Sequence, residues 1–261
     1  MIRAPSRATF DSSARGCCRT RRVGLTKLIF GTVTPTTQVS ETSMHSPQGK
    51  APRDCPRCPR LVAFRNGWRQ REPSWFNAPV PSFGPVDARL LIVGLAPGLQ
   101  GANRTGRPFT GDYAGELLYS TLKQFQFSRG DYAARPDDGL ELIDARITNA
   151  VRCVPPENKP TGGEITTCRD YLSATIGEMP RLAAILALGR IAHDSTLAAL
   201  GQRPSAAPFK HGGAHMLKVK LFDSYHCSRY NTNTGRLTPE MFRAVVAAIR
   251  NHLDVAKTAN T

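Results

Sequence analysis

Acidic residues are scarce in this chain. Against 35 Lys and Arg there are only 20 Asp and Glu, so its 261 residues carry a formal charge of +15 and an isoelectric point near 10. That balance is foreign to most enzymes of small-molecule metabolism and fits a partner of dense negative charge, most simply nucleic acid. A basic start explains part of it: residues 1–50 hold eight basic and two acidic residues, which leaves +9 on the rest. Also missing is any apolar run long enough to cross a bilayer, so a soluble protein is expected. No apolar segment of a secretory signal precedes the cysteines. A reducing compartment follows, and the seven cysteines are not read as a disulfide scaffold.

Two further absences concern one stretch, VGLAPGLQGANRTGRPFTGD at residues 93–112. It is crowded with glycine and follows an apolar run, as phosphate-cradling loops do. Yet it has neither the G-x4-GK[ST] of a Walker loop nor the G-x-G-x-x-G of a dinucleotide fold. A nucleotide-binding enzyme is therefore the poorest fit.

What is present is a regular alternation from residue 51 onward. Leu90–Leu95, Ala145–Val151, Ala183–Leu188 and Met216–Phe222 read as short strands. Residues 113–126, 164–178 and 190–200 read as helices between them. A last helix starts with Thr238 as N-cap and Pro239 in its first turn, with Phe242, Val245, Val246, Ile249 and Leu253 as its apolar stripe. Strand and helix repeated four times predict an α/β fold with a mainly parallel four-stranded sheet and helices on both faces. Residues 1–50, rich in Ser, Thr and Arg, show no convincing periodicity and are expected to be a disordered extension or to precede a true start at Met44. An organelle-type targeting peptide is the less favoured alternative. Residues 51–261 are expected to form one catalytic domain.

Four cysteines have matched spacing. Cys55 and Cys58 form a C-x2-C pair, and Cys153 and Cys168 are separated by fourteen residues. Two such pairs can complete a tetrahedral thiolate shell, and ligand type does not separate zinc from [4Fe–4S]. Two buried apolar cysteines beside an isolated C-x2-C is the plainer alternative. Cys17, Cys18 and Cys227 have no matched partner.

In open parallel sheets ligands sit beyond the carboxyl ends of the strands, and polar residues collect at three of those ends here. The first carries Asn103, Arg104, Arg107, Phe109 and Asp112; the second carries Asn149; the fourth carries His226, Ser228, Asn231 and Arg236. An aromatic ring can stack on a base lifted from a helix, and an amide can pair with its edge. An imidazole can stabilise charge on a departing ring, while a carboxylate orients water or supports a cationic sugar. Arginines and backbone amides suit flanking phosphates. Asp112 could equally be the N-cap of the helix at 113.

GLAPG…GANRTGRPFTGD, NAVRCVPPENKP and YHCSRYNTNTGRLTPE together resemble the family 5 (type b) uracil-DNA glycosylases, relatives of the iron–sulfur family 4 enzymes. The resemblance spans about residues 53–252 and includes PVPSFGP and the four spaced cysteines. It implies a three-layer α/β/α sandwich, a structural [4Fe–4S] cluster on Cys55, Cys58, Cys153 and Cys168, and no diffusible cofactor. It also implies hydrolytic removal of uracil, and of some other deaminated bases, from double- or single-stranded DNA. By position Phe109 would stack on the base, Asn149 would read its edge and His226 would support the leaving anion. Asn103, Arg107 and Ser228 would complete the substrate site. Ala96 stands where most of the superfamily has a water-activating carboxylate or amide, so Asp112 is the candidate for that role. Cys227 stands where a proline often follows the histidine. No lysine nucleophile is evident, so no strand cleavage is expected. A monomer, cytoplasmic and nucleoid-associated as in bacteria or archaea, is the expected form. The rival is a non-catalytic zinc protein that binds nucleic acid.

Overall fold

The structure, a computed structural model, describes residues 49–258. The expectations for residues 1–48, with Cys17, Cys18 and Met44, lie outside the described residues. In chain order the elements are α1 (Pro59–Arg71), β1 (Leu90–Gly94), α2 (Ala102–Thr105), α3 (Tyr113–Gln124), β2 (Ser128–Arg129), β3 (Glu141–Leu142) and β4 (Ala145–Asn149). There follow α4 (Gly162–Gly177), β5 (Ala184–Leu188), α5 (Arg190–Ala199), β6 (Ala214–His215), β7 (Lys220–Ser224), α6 (Arg229–Asn233) and α7 (Pro239–Thr258).

β4, β1, β5 and β7 lie side by side in that order and run parallel, and β6 pairs antiparallel with the outer edge of β7. The sheet thus has five strands rather than the expected four. β6 is two residues long, too short for any alternation to reveal it. The fourth expected strand also begins later than Met216: that residue is 77% exposed, and pairing starts at Lys220.

β1 is apolar throughout because both of its faces are covered. Leu90 and Ile92 join one core with Leu118 and Leu122 of α3 and Phe242, Val246, Ile249 and Leu253 of α7. Leu91 and Val93 point the opposite way, to Leu172 of α4 and Leu197 of α5. Helix, sheet and helix make three layers. No helix of the described residues is long and apolar enough to cross a membrane.

Local chemistry fixes the helix starts that matter for the site. α4 opens with a capping box: Thr161 Oγ1 accepts from the Glu164 amide at 3.2 Å, and Glu164 Oε2 accepts from the Thr161 amide at 2.8 Å. Arg60 of α1 donates to the same carboxylate at 2.8 and 2.7 Å, tying the two helices together. α1 itself escapes sequence reading because it has almost no apolar stripe; only Leu61 and Arg65 on it are buried.

Candidate active site

A cleft of about 600 Å³ opens beyond the carboxyl ends of β1, β4 and β7. Each strand end delivers one wall: the glycine loop after β1, Asn149 at the end of β4, and the segment from Tyr225 to Ser228 after β7. Phe109, Asp112, Asn149, His226 and Ser228 line it, which is five of the seven residues expected to bind or transform substrate.

The close approach of these walls depends on Gly94. A Cβ there would lie 2.5 Å from Asn149 Oδ1 and 2.8 Å from Phe109 Cζ, closer than carbon tolerates. Phe109 holds a left-handed backbone (φ 52°), a costly conformation for an aromatic residue. It is pinned from behind. Tyr132 Oη donates to Phe109 O at 3.2 Å, and Tyr119 Oη donates to Pro108 O at 2.6 Å.

Asp112 occupies the N-cap position of α3, yet its side chain makes no capping hydrogen bond. Among the described residues its Oδ1 is buried without a partner. Burial raises its pKa above the ordinary carboxylate value, and the nearby amides of Ala114 and Gly115 offset part of that rise. Its Oδ2 lies against Gly98 and Gly101, where any side chain at 101 would collide with it. The glycines of the loop make room for a carboxylate.

His226 stacks on Phe109 with ring centroids 5.7 Å apart and planes 28° from parallel. Burial lowers its pKa to about 4, so the imidazole is neutral at physiological pH. Asn231 Nδ2 donates to its backbone carbonyl at 2.9 Å. Ser228 caps α6, its Oγ accepting from the Asn231 amide at 3.4 Å. Under this segment β7 is anchored by fully buried Asp223. His193 Nδ1 meets Asp223 Oδ1 at 2.6 Å, and His215 Nε2 meets Oδ2 at 2.9 Å. His193 Nε2 also faces Ala207 O at 2.7 Å. Burial works against a proton on this ring, but Asp223 prevails and the His193 pKa is raised. The buried cluster of His193, Asp223 and His215 thus holds the strand that presents His226.

The four spaced cysteines come together on the other side of the same loop. Cys58 is the N-cap residue of α1 with Cys55 in the turn before it, Cys153 follows β4, and Cys168 lies on α4. All four line one small cavity, and Ala96 packs against the same cluster of side chains. The sulfurs are not left bare. The Arg152 amide donates to Cys168 Sγ at 3.3 Å, Arg65 Nη1 to Cys153 Sγ at 3.7 Å, and Tyr171 Oη lies 3.5 Å from Cys55 Sγ. Burial pushes the Cys153 thiol up to about 12 and raises Cys58 and Cys168 as well. Only a bound cation would keep such groups as thiolates.

Residues 81–250 match the family described as the Uracil DNA glycosylase superfamily. The chain belongs to that superfamily. Among its relatives, the type-5 uracil-DNA glycosylase of Thermus thermophilus is 48% identical over 200 residues, covering 74% of this chain and 90% of the relative. The type-5 uracil-DNA glycosylase of Pyrobaculum aerophilum is 41% identical over 198 residues, covering 74% and 86%. A type-4 uracil-DNA glycosylase of Sulfurisphaera tokodaii is 33% identical over 175 residues, covering 64% and 72%.

As a member of the superfamily, the chain departs from expectation at two loop residues. Asn103 and Arg107, expected at the substrate, do not reach the cleft. Asn103 is buried and donates from Nδ2 to Asn77 Oδ1 at 2.8 Å, which closes the loop on the segment before it. Arg107 turns inward, because a carboxylate and three rings await it there. Its guanidinium donates to both oxygens of Asp138 at 2.8 and 2.7 Å and lies over Phe83, Tyr119 and Tyr132. Arg107 holds the Asp138 carboxyl far below the usual carboxylate range. Arg107→Met is expected to destabilise the fold by about 3–5 kcal/mol, since it strands Asp138 in the interior. A urea midpoint unchanged by the substitution would refute this. Because the Asp138 pKa is depressed, the pair stabilises above the unfolded carboxylate pKa and is lost only as pH falls through the lower folded value.

Sequence reading missed Asp138, Tyr119 and Tyr132, which lie outside the quoted motifs and carry no local signal. It also missed Tyr113, Asn158 and Arg229 on the cleft wall. Arg229 lies 5.2 Å over the Tyr113 ring, joining the starts of α6 and α3. Cys227, in the place of the frequent proline, is fully buried, so the departure is absorbed by the core.

Proposed function

We infer that the chain is a monofunctional uracil-DNA glycosylase. It hydrolyses the N-glycosidic bond of uracil, and of other deaminated bases, in double- or single-stranded DNA, and so begins base excision repair. One observation carries this reading: Asp112, Asn149 and His226 line one cleft beside an aromatic ring, and among the described residues Asp112 Oδ1 is buried there without a partner. Polar groups held in this way suit an external ligand.

The nucleotide is flipped out of the helix and its base enters beside Phe109. Cleavage separates charge into a cationic sugar and a base anion. Asn149 reads the base edge and, with the N–H of neutral His226, favours the anion. A neutral imidazole retains one N–H, which can donate to the departing anion. The Asp112 carboxylate favours the sugar and orients the attacking water. It takes the place that Ala96 leaves empty, entering from the start of α3 rather than from the end of β1. The residues 51–261 act as one catalytic domain and as a monomer, on the nucleoid of a bacterial or archaeal cell.

Cys55, Cys58, Cys153 and Cys168 would hold a [4Fe–4S] cluster, which supplies a structural crosslink between α1, α4 and the end of β4. The donor set supports it: the four cysteines line one small cavity, and an all-thiolate set of four is the ligation that an iron–sulfur cluster takes.

The deciding experiment is excision from duplexes that each carry one lesion, with wild-type protein and His226→Ala. Wild type should release uracil, and the variant should lose about a hundredfold in single-turnover rate while binding DNA as before. Absence of release from every lesion would defeat the glycosylase reading, and an unchanged variant would defeat the role of His226.

A further inference from the structure

Two arginines are buried beside the four cysteines, in contact with no carboxylate of the described residues. Arg65 and Arg152 are each 2% exposed, and neither belongs to an ion pair among the described residues. Arg65 donates to Cys55 O at 3.2 Å and to Cys153 Sγ. Arg152 donates to Ser82 Oγ at 2.9 Å, Thr175 Oγ1 at 2.7 Å and Tyr171 O at 3.3 Å, and its amide reaches Cys168 Sγ. Among the described residues the Nε of each has no partner. The nearer acids are engaged elsewhere: Asp170 with Arg57, Glu164 with Arg60, and Asp54 with Arg69. Glu178 acts on Arg152, and Asp54 on Arg65, only at longer range, and the like charge of Arg146 opposes the first. Neutral dipoles solvate a guanidinium poorly, and a buried cation without a counter-charge is strongly unfavourable.

We propose that Arg65 and Arg152 are the counter-cations of the four-cysteine centre, a reading that rests on those cysteines holding a metal cluster. Four thiolates around a core of two positive charges form a dianion. Two guanidinium groups match it, that of Arg65 donating to Cys153 and that of Arg152, which lines the same cavity as Cys168, and the buried unit is neutral. The arginines hold the cluster by charge as the cysteines hold it by bonds. They also make the one-electron reduced cluster easier to reach than it would be among apolar side chains, since nearby positive charge favours an added electron.

The test uses full-length protein as purified, with Gln and Lys at each position. Iron, sulfide and visible absorption report the cluster, loss of absorption in chelator reports its release, and an electrode reports its one-electron potential. Arg65→Gln and Arg152→Gln should each release the cluster about tenfold faster or more and lower the potential. Arg65→Lys and Arg152→Lys keep the charge and should stay near wild type in potential. The potential is read on the molecules that retain cluster, so partial loss leaves the comparison intact. A wild-type cluster whose potential is the same in the Gln and Lys variants would overturn the counter-ion role alone. Wild-type protein without iron or sulfide would overturn the cluster reading and, with it, this one.

Discussion

Asp112→Asn is expected to lower single-turnover excision by about a hundredfold to ten-thousandfold, the usual worth of a positioned acid–base group. The same substitution should make the protein more stable at neutral pH. Both effects have one cause. The carboxylate is sequestered with Oδ1 unpartnered, and burial raises its pKa. A raised folded pKa means that the native state binds the proton more tightly than the unfolded chain does. The ionised form therefore costs stability once pH exceeds the unfolded value, and the cost is complete above the folded one. Asn removes that cost together with the charge that the reaction uses. In wild type the excision rate should rise with pH through the raised Asp112 pKa and then level. No second inflection should occur near 6.5, because burial lowers His226 to about 4 and the ring is neutral across this range. A variant as active as wild type would remove Asp112 from the chemistry. A wild-type rate that falls as pH rises through 6 to 7 would instead require a protonated imidazole.

Gly94→Ala should be nearly as damaging, although residue 94 touches no substrate. Its new Cβ would sit 2.5 Å from Asn149 Oδ1 and 2.8 Å from Phe109 Cζ, on a strand paired on both sides. The strand has nowhere to go, so the two cleft residues must move. Displacement by about 1 Å at a reacting centre costs on the order of a hundredfold in rate, and overpacking adds about 1–3 kcal/mol of destabilisation. Single-turnover excision against urea unfolding separates the two effects. Gly67→Ala is the control: nothing lies within 4 Å of a Cβ there, and helix α1 should gain stability. Full activity of Gly94→Ala would mean that the cleft relaxes more than its packing suggests.

The buried strands and amphipathic helices were legible because period and burial coincide in them. The apolar run at Leu90–Leu95 and the stripe on α7 could be read directly. α1 and β6 were not legible. The first has no apolar face, and the second is two residues long and exists only through its pairing with β7. The site divides in the same manner. Phe109, Asn149, Asp112, His226 and Ser228 stand at strand ends, and the parallel topology brings strand ends together. Arg107 sits in the same motif yet points away, because Asp138 lies 31 residues on in a stretch with no pattern of its own.

The sequence by itself determined the layer order, the crevice, the residue types that meet there and the matched spacing of four cysteines. Each of these follows from local period or fixed spacing. Tertiary structure alone decided which polar groups stay unsatisfied and which are spent on one another. It gave Arg107 a buried partner and left Asp112 Oδ1 without one. It placed two buried cations beside the cysteines and gave neither an ion pair among the described residues. Solvation and pairing depend on everything that surrounds a group, and those surroundings are assembled from distant parts of the chain.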